Sequence, residues 1–229
     1  MLRLITDFDG PIVDVSERYY QVYQFCLTQL QLPAQPIQQL PKAKFWQLKR
    51  ARVPEREIGL LSGLTADQAT EFAQLRRLTV HTQPYFGYDT LIPGAVTALE
   101  TLQQTGVDLV VMTMRRTQEL DYALEQYNLG RFFPSDRRYC LGNQTIKTAD
   151  VSDKPLLMAR ALAELPVAAD TWMVGDTEAD IFAAKTYGIK VIGLLSGIRD
   201  RPQLTVYEPD YILEDLTIAV EFILQSYCV

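Results

Sequence analysis

Histidine is almost missing from this chain, with His81 the only one in 229 residues. A histidine-built zinc site or a Ser-His-Asp triad is therefore unattractive, and His81, far in sequence from every acidic motif, is read as structural. Cysteine is scarce too. Cys26, Cys140 and Cys228 are odd in number, widely spaced and in no metal-ligand pattern, which reads as buried or free thiols of a reducing compartment. No apolar run reaches the roughly 18 residues of a membrane span. Asp7 and Asp9 interrupt the segment where a secretory leader would need its apolar stretch, so the expectation is a cytoplasmic protein with no membrane partner. Basic residues number 22 against 28 acidic ones, and the net charge of −6 disfavours nucleic acid as a partner. What these absences leave is small-molecule chemistry.

What is present is an ordinary globular composition, 48% hydrophobic and 22% charged, in a length that suits one large domain or a core with an insertion. Short apolar runs recur at Leu2 to Thr6, Val107 to Met112, Thr171 to Val174, Lys190 to Leu194 and Tyr211 to Leu213, with helical periodicity between most of them. That alternation predicts an α/β fold, a Rossmann-like doubly wound parallel sheet with helices on both faces. Gly94 to Gln104 reads as a helix stopped by Gly106, and Glu214 to Tyr227 as an amphipathic helix with Leu216, Val220 and Ile223 inward. Residues 14–91 break the alternation. They are Gln-rich and helix-like, with helices predicted at Ser16 to Leu30 and Ala66 to Val80 and a less regular stretch between, broken by Pro33, Pro36, Pro41 and Pro54. The predicted organisation is a core of residues 1–13 and 92–229 with a helical module inserted.

The first strand runs straight into Asp7-Phe8-Asp9-Gly10, two carboxylates and a flexible glycine at the carboxyl end of a buried strand, the edge where open α/β sheets bind ligands. The plain alternative is a turn. A second apolar strand ends in Gly175-Asp176-Thr177-Glu178-Ala179-Asp180, where Asp176 and Asp180 share a side if a helix starts early, although Asp176 or Thr177 as a helix cap explains one acid. Thr113 ends a third strand and offers a hydroxyl. Lys154 precedes Pro155, which suits the first position of a helix, so the ammonium is expected near a helix N-terminus. In one parallel sheet, Asp7, Asp9, Asp176 and Asp180 converge at one edge, and a hard divalent cation, Mg²⁺ most naturally, resolves their repulsion.

This order of motifs, Asp-Phe-Asp-Gly, Thr, Lys-Pro and Gly-Asp-Thr-Glu-Ala-Asp, resembles the four-motif signature of the haloacid dehalogenase superfamily across essentially the whole chain. The resemblance implies that Asp7 is a nucleophile forming an aspartyl-phosphate and that Asp9 is the general acid that protonates the leaving group. It further implies that Mg²⁺ is held by the Asp7 carboxylate, the Asp9 backbone carbonyl, Asp176 and Asp180, and that Thr113 and Lys154 hold phosphoryl oxygens. The second aspartate marks phosphatases rather than dehalogenases. One departure is Pro11, where the family usually has threonine.

The insertion resembles in position the helical cap of phosphoglycolate phosphatases and β-phosphoglucomutases. It carries a basic cluster, Lys42, Lys44, Lys49, Arg50 and Arg52, broken by Phe45 and Trp46, which would suit an acidic leaving group; a solvated helix face is the ordinary alternative. Phe45, Trp46 and Leu48 read as core of the module. Candidate substrate contacts are Gly10, Met114 and Arg115 beside the motifs and Lys44 and Arg50 in the insertion, with an exposed Arg115-Arg116 pair the alternative. The implied activity is hydrolysis of a small phosphorylated metabolite such as phosphoglycolate or a sugar phosphate, by a monomer or homodimer. The alternatives are a β-phosphoglucomutase-like phosphotransferase and a catalytically weakened phosphate-binding protein.

Overall fold

The computed structural model describes residues 1–227, so Cys228 lies outside the described residues. The chain divides into two compact units, one of residues 1–14 and 91–229, the other Val15–Thr90.

The first unit is built on β1 (Leu2–Thr6). The chain leaves it through β2 (Val13–Asp14) and returns through β3 (Thr90–Leu91), then continues through β4 (Asp108–Arg116), β5 (Arg138–Leu141), β6 (Asp170–Gly175), β7 (Lys190–Leu194) and β8 (Tyr211–Leu213). Six strands form one sheet in the order β5-β4-β1-β6-β7-β8. Every neighbouring pair is parallel. This is the predicted doubly wound arrangement, and it explains why β1 is buried at every position: a parallel sheet is covered on both faces. Even Arg3 is buried, because its guanidinium donates to Asp108 Oδ2 at 2.7 Å and to the Pro166 carbonyl at 2.7 Å. On one face, Ile5, Val110, Met112, Met173 and Val191 make a common core with Leu157, Met158, Ile181 and Ala184. The register aligns Thr6 with both Val111 and Val174, so the residues that follow the three central strands emerge together.

The second unit holds α1 (Ser16–Leu30), α2 (Lys42–Arg50), α3 (Glu55–Leu61) and α4 (Ala66–Thr79). Tyr23 stacks on Phe45 at 4.7 Å between ring centroids and meets Phe72 edge-on at 6.1 Å, and these rings share a core with Val22, Ile58 and Ala69. Its two ends are fastened by a buried pair, Arg18 Nε to Asp89 Oδ1 at 3.0 Å.

Several sequence expectations are corrected. Pro41 and Pro54, expected only to break helices, stand immediately before α2 and α3, where a residue with no N–H and a fixed φ loses nothing. β4 does not end at Met112 or Thr113 but runs on to Arg116. The short edge strand β5 was not expected. The remaining helices of the first unit are α5 (Ala95–Gln104), α6 (Thr117–Gln126), α7 (Asp150–Glu164), α8 (Glu178–Thr186), α9 (Arg201–Thr205) and α10 (Leu216–Tyr227). Pro155 lies inside α7 rather than at its first position, because the helix opens at Asp150. Leu216, Val220 and Ile223 of α10 are buried as expected, and Cys26 and Cys140 are buried free thiols. Among the described residues no helix is long and apolar enough to cross a membrane.

Phe45 is fully buried at the centre of the helical unit's aromatic core. Phe45→Ala is expected to destabilise that unit by about 3–5 kcal/mol, read from denaturant unfolding followed by circular dichroism. A loss below about 1 kcal/mol would show that Phe45 is not the packing centre described.

Candidate active site

Asp7 is the first residue after β1. Its N–H donates to the Val174 carbonyl at 2.9 Å, which extends the ladder one step and fixes where the side chain starts. The carboxylate is then held from two sides: Phe8 N–H donates to Oδ1 at 2.6 Å and Lys154 Nζ donates to Oδ2 at 2.6 Å. The chain turns sharply afterwards, with Ile12 and Val13 N–H on the Phe8 carbonyl at 3.1 Å and Gly10 N–H on the Val13 carbonyl at 2.8 Å. Gly10 has φ +93°. Pro11 sits buried in this turn, whose closing bonds come from residues 10, 12 and 13, so a residue without an N–H is accommodated.

Asp176 and Asp180 come from the loop after β6 and the first turn of α8. Ligand oxygens of Asp7, Asp176 and Asp180 lie within 4.8 Å of one another, and all three residues are buried. Asp180 Oδ2 accepts from Thr177 N–H at 3.0 Å and Thr177 Oγ1 at 2.7 Å, so it ties the start of α8 as well as joining the cluster. Asp180 Oδ1 pairs with Lys154 Nζ. The lysine, 1% exposed, thus bridges Asp7 and Asp180 from the second turn of α7, not from a helix N-terminus.

Asp9 goes elsewhere. Its carboxylate, partly exposed, accepts from Arg115 Nε at 2.8 Å and Nη2 at 2.7 Å, outside the three-aspartate cluster. Arg115, read from sequence as substrate-facing or exposed, is buried, lies over the Phe8 ring at 5.0 Å, and donates its N–H to Thr113 Oγ1 at 3.2 Å. Arg116 is partly buried as well and donates Nη1 to the carbonyls of Gly142, Asn143 and Thr145 at 2.7–3.0 Å. Both are drawn inward because β4 runs past Thr113. Thr113 is buried within the strand, and Met114 packs against the hydrophobic core. Lys44 and Arg50 belong to α2 of the helical unit; Lys44 is exposed and donates to Gln47 Oε1 at 3.2 Å. Two of the other cations predicted there are ion-paired within the unit, Lys42 with Glu17 and Lys49 with Glu55. The loop after β7 was missed: Ile198 N–H donates to Asp176 Oδ2 at 2.6 Å. Its signal was topological, since β7 ends at the same sheet edge as the other motifs.

The electrostatics are those of too many acids for one base. Burial raises the Asp7 carboxyl well above its ordinary value; Lys154 opposes this, while Asp180 and Asp176 add to it. Burial, then Asp180, raises Asp176 to about 7 against the opposing pull of Ile198 N–H. Burial pulls the Lys154 ammonium down, but Asp180 and Asp7 push it up further, so it stays charged. Three buried carboxylates facing one ammonium leave room for two positive charges. A compact, all-oxygen, acidic donor set is what Mg²⁺ takes, so the residues fit that ion.

A family model described as haloacid dehalogenase (HAD) hydrolase-like matches residues 153–219. The chain is similar to a phosphoglycolate phosphatase of Pseudomonas syringae pv. tomato, 24% identical over 93% of this chain and 76% of the relative. It is also similar to a pyrophosphatase of Bacillus velezensis, 27% identical over 68% of this chain and 69% of the relative. Among solved structures, a hydrolase of the haloacid dehalogenase-like family from Streptococcus pneumoniae superposes with a TM-score of 0.71 at 21% identity, covering 96% of this chain and 97% of that one.

An acid whose folded pKa lies above its unfolded one holds more protons when folded, so its contribution is present at low pH and lost as pH rises. For Asp176 the window runs from its ordinary 3.8 to about 7. Metal-free protein is therefore expected to lose stability across that window, on the order of 4 kcal/mol from this group. Added Mg²⁺ should raise Tm more at pH 8 than at pH 5, because its ligands must be deprotonated. Thermal scans at the two pH values test this, and an equal Mg²⁺ shift at both would contradict the acidic centre as the binding site.

Proposed function

Because this chain belongs to the haloacid dehalogenase superfamily of hydrolases, we propose that it is a Mg²⁺-dependent phosphatase that hydrolyses a small phosphorylated metabolite through an aspartyl-phosphate on Asp7. One observation carries this reading. Two carboxylates on one tight loop occupy opposite environments, Asp7 buried in the acidic cluster on Lys154 and Asp9 outside it on Arg115. That is the division of labour a two-step displacement requires, one group to bond phosphorus and one to handle protons.

In the first step an Asp7 oxygen forms a bond to phosphorus while the ester P–O bond breaks, and Asp9 gives a proton to the departing alkoxide. In the second, Asp9 takes a proton from water, whose oxygen attacks phosphorus; the Asp7–phosphorus bond breaks, and phosphate and the Asp7 carboxylate are regenerated. Asp9 must leave Arg115 to act in either step. Lys154, fixed between Asp7 and Asp180, neutralises charge on the nucleophile so that an anionic ester can approach it. Asp7, Asp176 and the Asp9 backbone carbonyl would hold Mg²⁺, with Asp180 supporting from Lys154 and Thr177; the ion supplies charge stabilisation for the transferring phosphoryl group. Thr113, Gly10, Met114 and Arg115 border this edge, but Arg115 serves Asp9 and Met114 the core.

The helical unit is proposed to be the cap that covers the leaving group. Phosphoglycolate heads the substrate panel, on the strength of the named relatives, with sugar phosphates next. Lys44 and Arg50 are the cap cations proposed to read an acidic leaving group. We propose a cytoplasmic location.

Phosphate release from a panel of phosphorylated metabolites, with and without Mg²⁺, tests the activity. Asp7→Asn is expected to abolish turnover, since an amide cannot form the acyl phosphate, and a variant that keeps its rate would sink the nucleophile assignment. Asp9→Asn should slow alkyl phosphates by about 10²–10⁴-fold and an activated aryl phosphate far less in the step that expels the leaving group. Lys44→Ala should change the ranking of the metabolites while sparing the aryl phosphate; a uniform fall would contradict a specificity role.

A further inference from the structure

We propose that the loop Ser196-Gly197-Ile198-Arg199, after β7, is a positioning element of the acidic centre, and that Gly197 sets where the Asp176 carboxylate points. This rests on the reading of Asp176 as a cation ligand and adds residues to which no motif points.

Asp176 is gripped between two backbones from distant parts of the chain. On one side is Gly10, where a Cβ would come within 2.6 Å of both Asp176 carboxylate oxygens. On the other is Gly197, where a Cβ would overlap the same carboxylate. The two glycines differ in an informative way. Gly10 has φ +93°, so its turn favours glycine for conformational reasons too. Gly197 is outside the left-handed region, so no positive φ calls for glycine there, and the three atoms nearest to where a Cβ would stand all belong to the Asp176 side chain. Glycine at 197 therefore serves the carboxylate.

The loop is tied at each end of this contact. Leu195 N–H donates to the Leu213 carbonyl at 3.0 Å, anchoring it to β8. Ser196 Oγ donates to the Gly10 carbonyl at 2.7 Å, joining it to the loop that carries Asp7 and Asp9. Ile198 N–H donates to Asp176 Oδ2 at 2.6 Å, which ties the carboxylate to the loop. Arg199 forks onto Glu178 of α8, Nε to Oε2 at 2.8 Å and Nη2 to Oε1 at 3.2 Å, and both residues are largely shielded from water. One four-residue segment thus touches the nucleophile loop, the ligand and the helix after the ligand. Its effect is to remove the rotamer freedom of Asp176 before a cation arrives, which lowers the ordering cost of binding.

The test is calorimetric titration of the full chain with Mn²⁺ and Mg²⁺ at pH 8, alongside metal-free thermal unfolding. Gly197→Ala is expected to weaken divalent-cation affinity by about 10–100-fold, with substrate KM at saturating metal nearly unchanged. Gly87→Ala, at a glycine with nothing within 4 Å of a Cβ, is the control and should bind as wild type. Should Gly197→Ala fail to fold, Ser196→Ala and Arg199→Gln carry the test, since neither adds atoms beside Asp176; each is expected to weaken the ion, with Arg199→Lys recovering part of the loss. Wild-type affinity in a folded Gly197→Ala protein, or in both substitutes, overturns the loop's role and leaves the phosphatase reading standing. A wild-type chain that takes up no divalent cation overturns the metal reading and this proposal with it.

Discussion

The repulsion among Asp7, Asp176 and Asp180 is the constraint around which the rest of this structure is arranged. Two unit charges about 4 Å apart at an effective dielectric near 20 repel by about 4 kcal/mol, and here oxygens of three buried acids lie within 4.8 Å of one another. No local segment would gather them: they come from the ends of β1 and β6 and from α8, and only the parallel register of those strands brings them to one edge. Lys154 is the compensating group, and it comes from a fourth element. A lysine suits the place because its ammonium is a compact point charge that bonds Asp7 and Asp180 at once, where the broad fork of a guanidinium matches a single carboxylate better.

The same logic separates Asp9 from its neighbour. A fourth carboxylate in the cluster would add to a repulsion that one ammonium against three acids already leaves largely uncompensated. Arg115 removes it by offering two donors outside, and is itself held by the Phe8 face and by its place in the long β4. Phe8, between the two acids in sequence, is fully buried and carries the Arg115 guanidinium over its ring. Strand alternation would leave Asp7 and Asp9 on one face; the turn that closes on the Phe8 carbonyl ends it and lets the two acids take different environments.

What was legible in the sequence follows from how each feature is encoded. β1, β7 and β8 are short, mostly apolar runs and could be bounded to the residue, as could α1. β5 has only Tyr139, Cys140 and Leu141 after a charged pair, too short for any period to show. α2 and α3 were hidden because Pro41 and Pro54 were weighed as breakers, whereas a proline just before a helix keeps its fixed φ and lacks only an N–H that no helical bond needs there. The acidic motifs stood out because carboxylates at the carboxyl end of a buried strand are costly. Arg115 did not, because whether an arginine faces water depends on how far β4 extends.

Pro155 shows why position within an element matters more than the residue pair that announces it. Lys-Pro was read as a helix start because proline needs no donor there. In α7 the helix opens five residues earlier, and the missing N–H leaves the Val151 carbonyl without its usual i+4 partner. The gain is placement. Opening at Asp150 puts Lys154 in the second turn, with Leu157, Met158 and Ala161 following into the core on the same helix. The ammonium is then presented from a packed, rigid stretch instead of a fraying first turn. A group that must hold two carboxylates in register needs that rigidity more than α7 needs one backbone hydrogen bond, worth about 1 kcal/mol net.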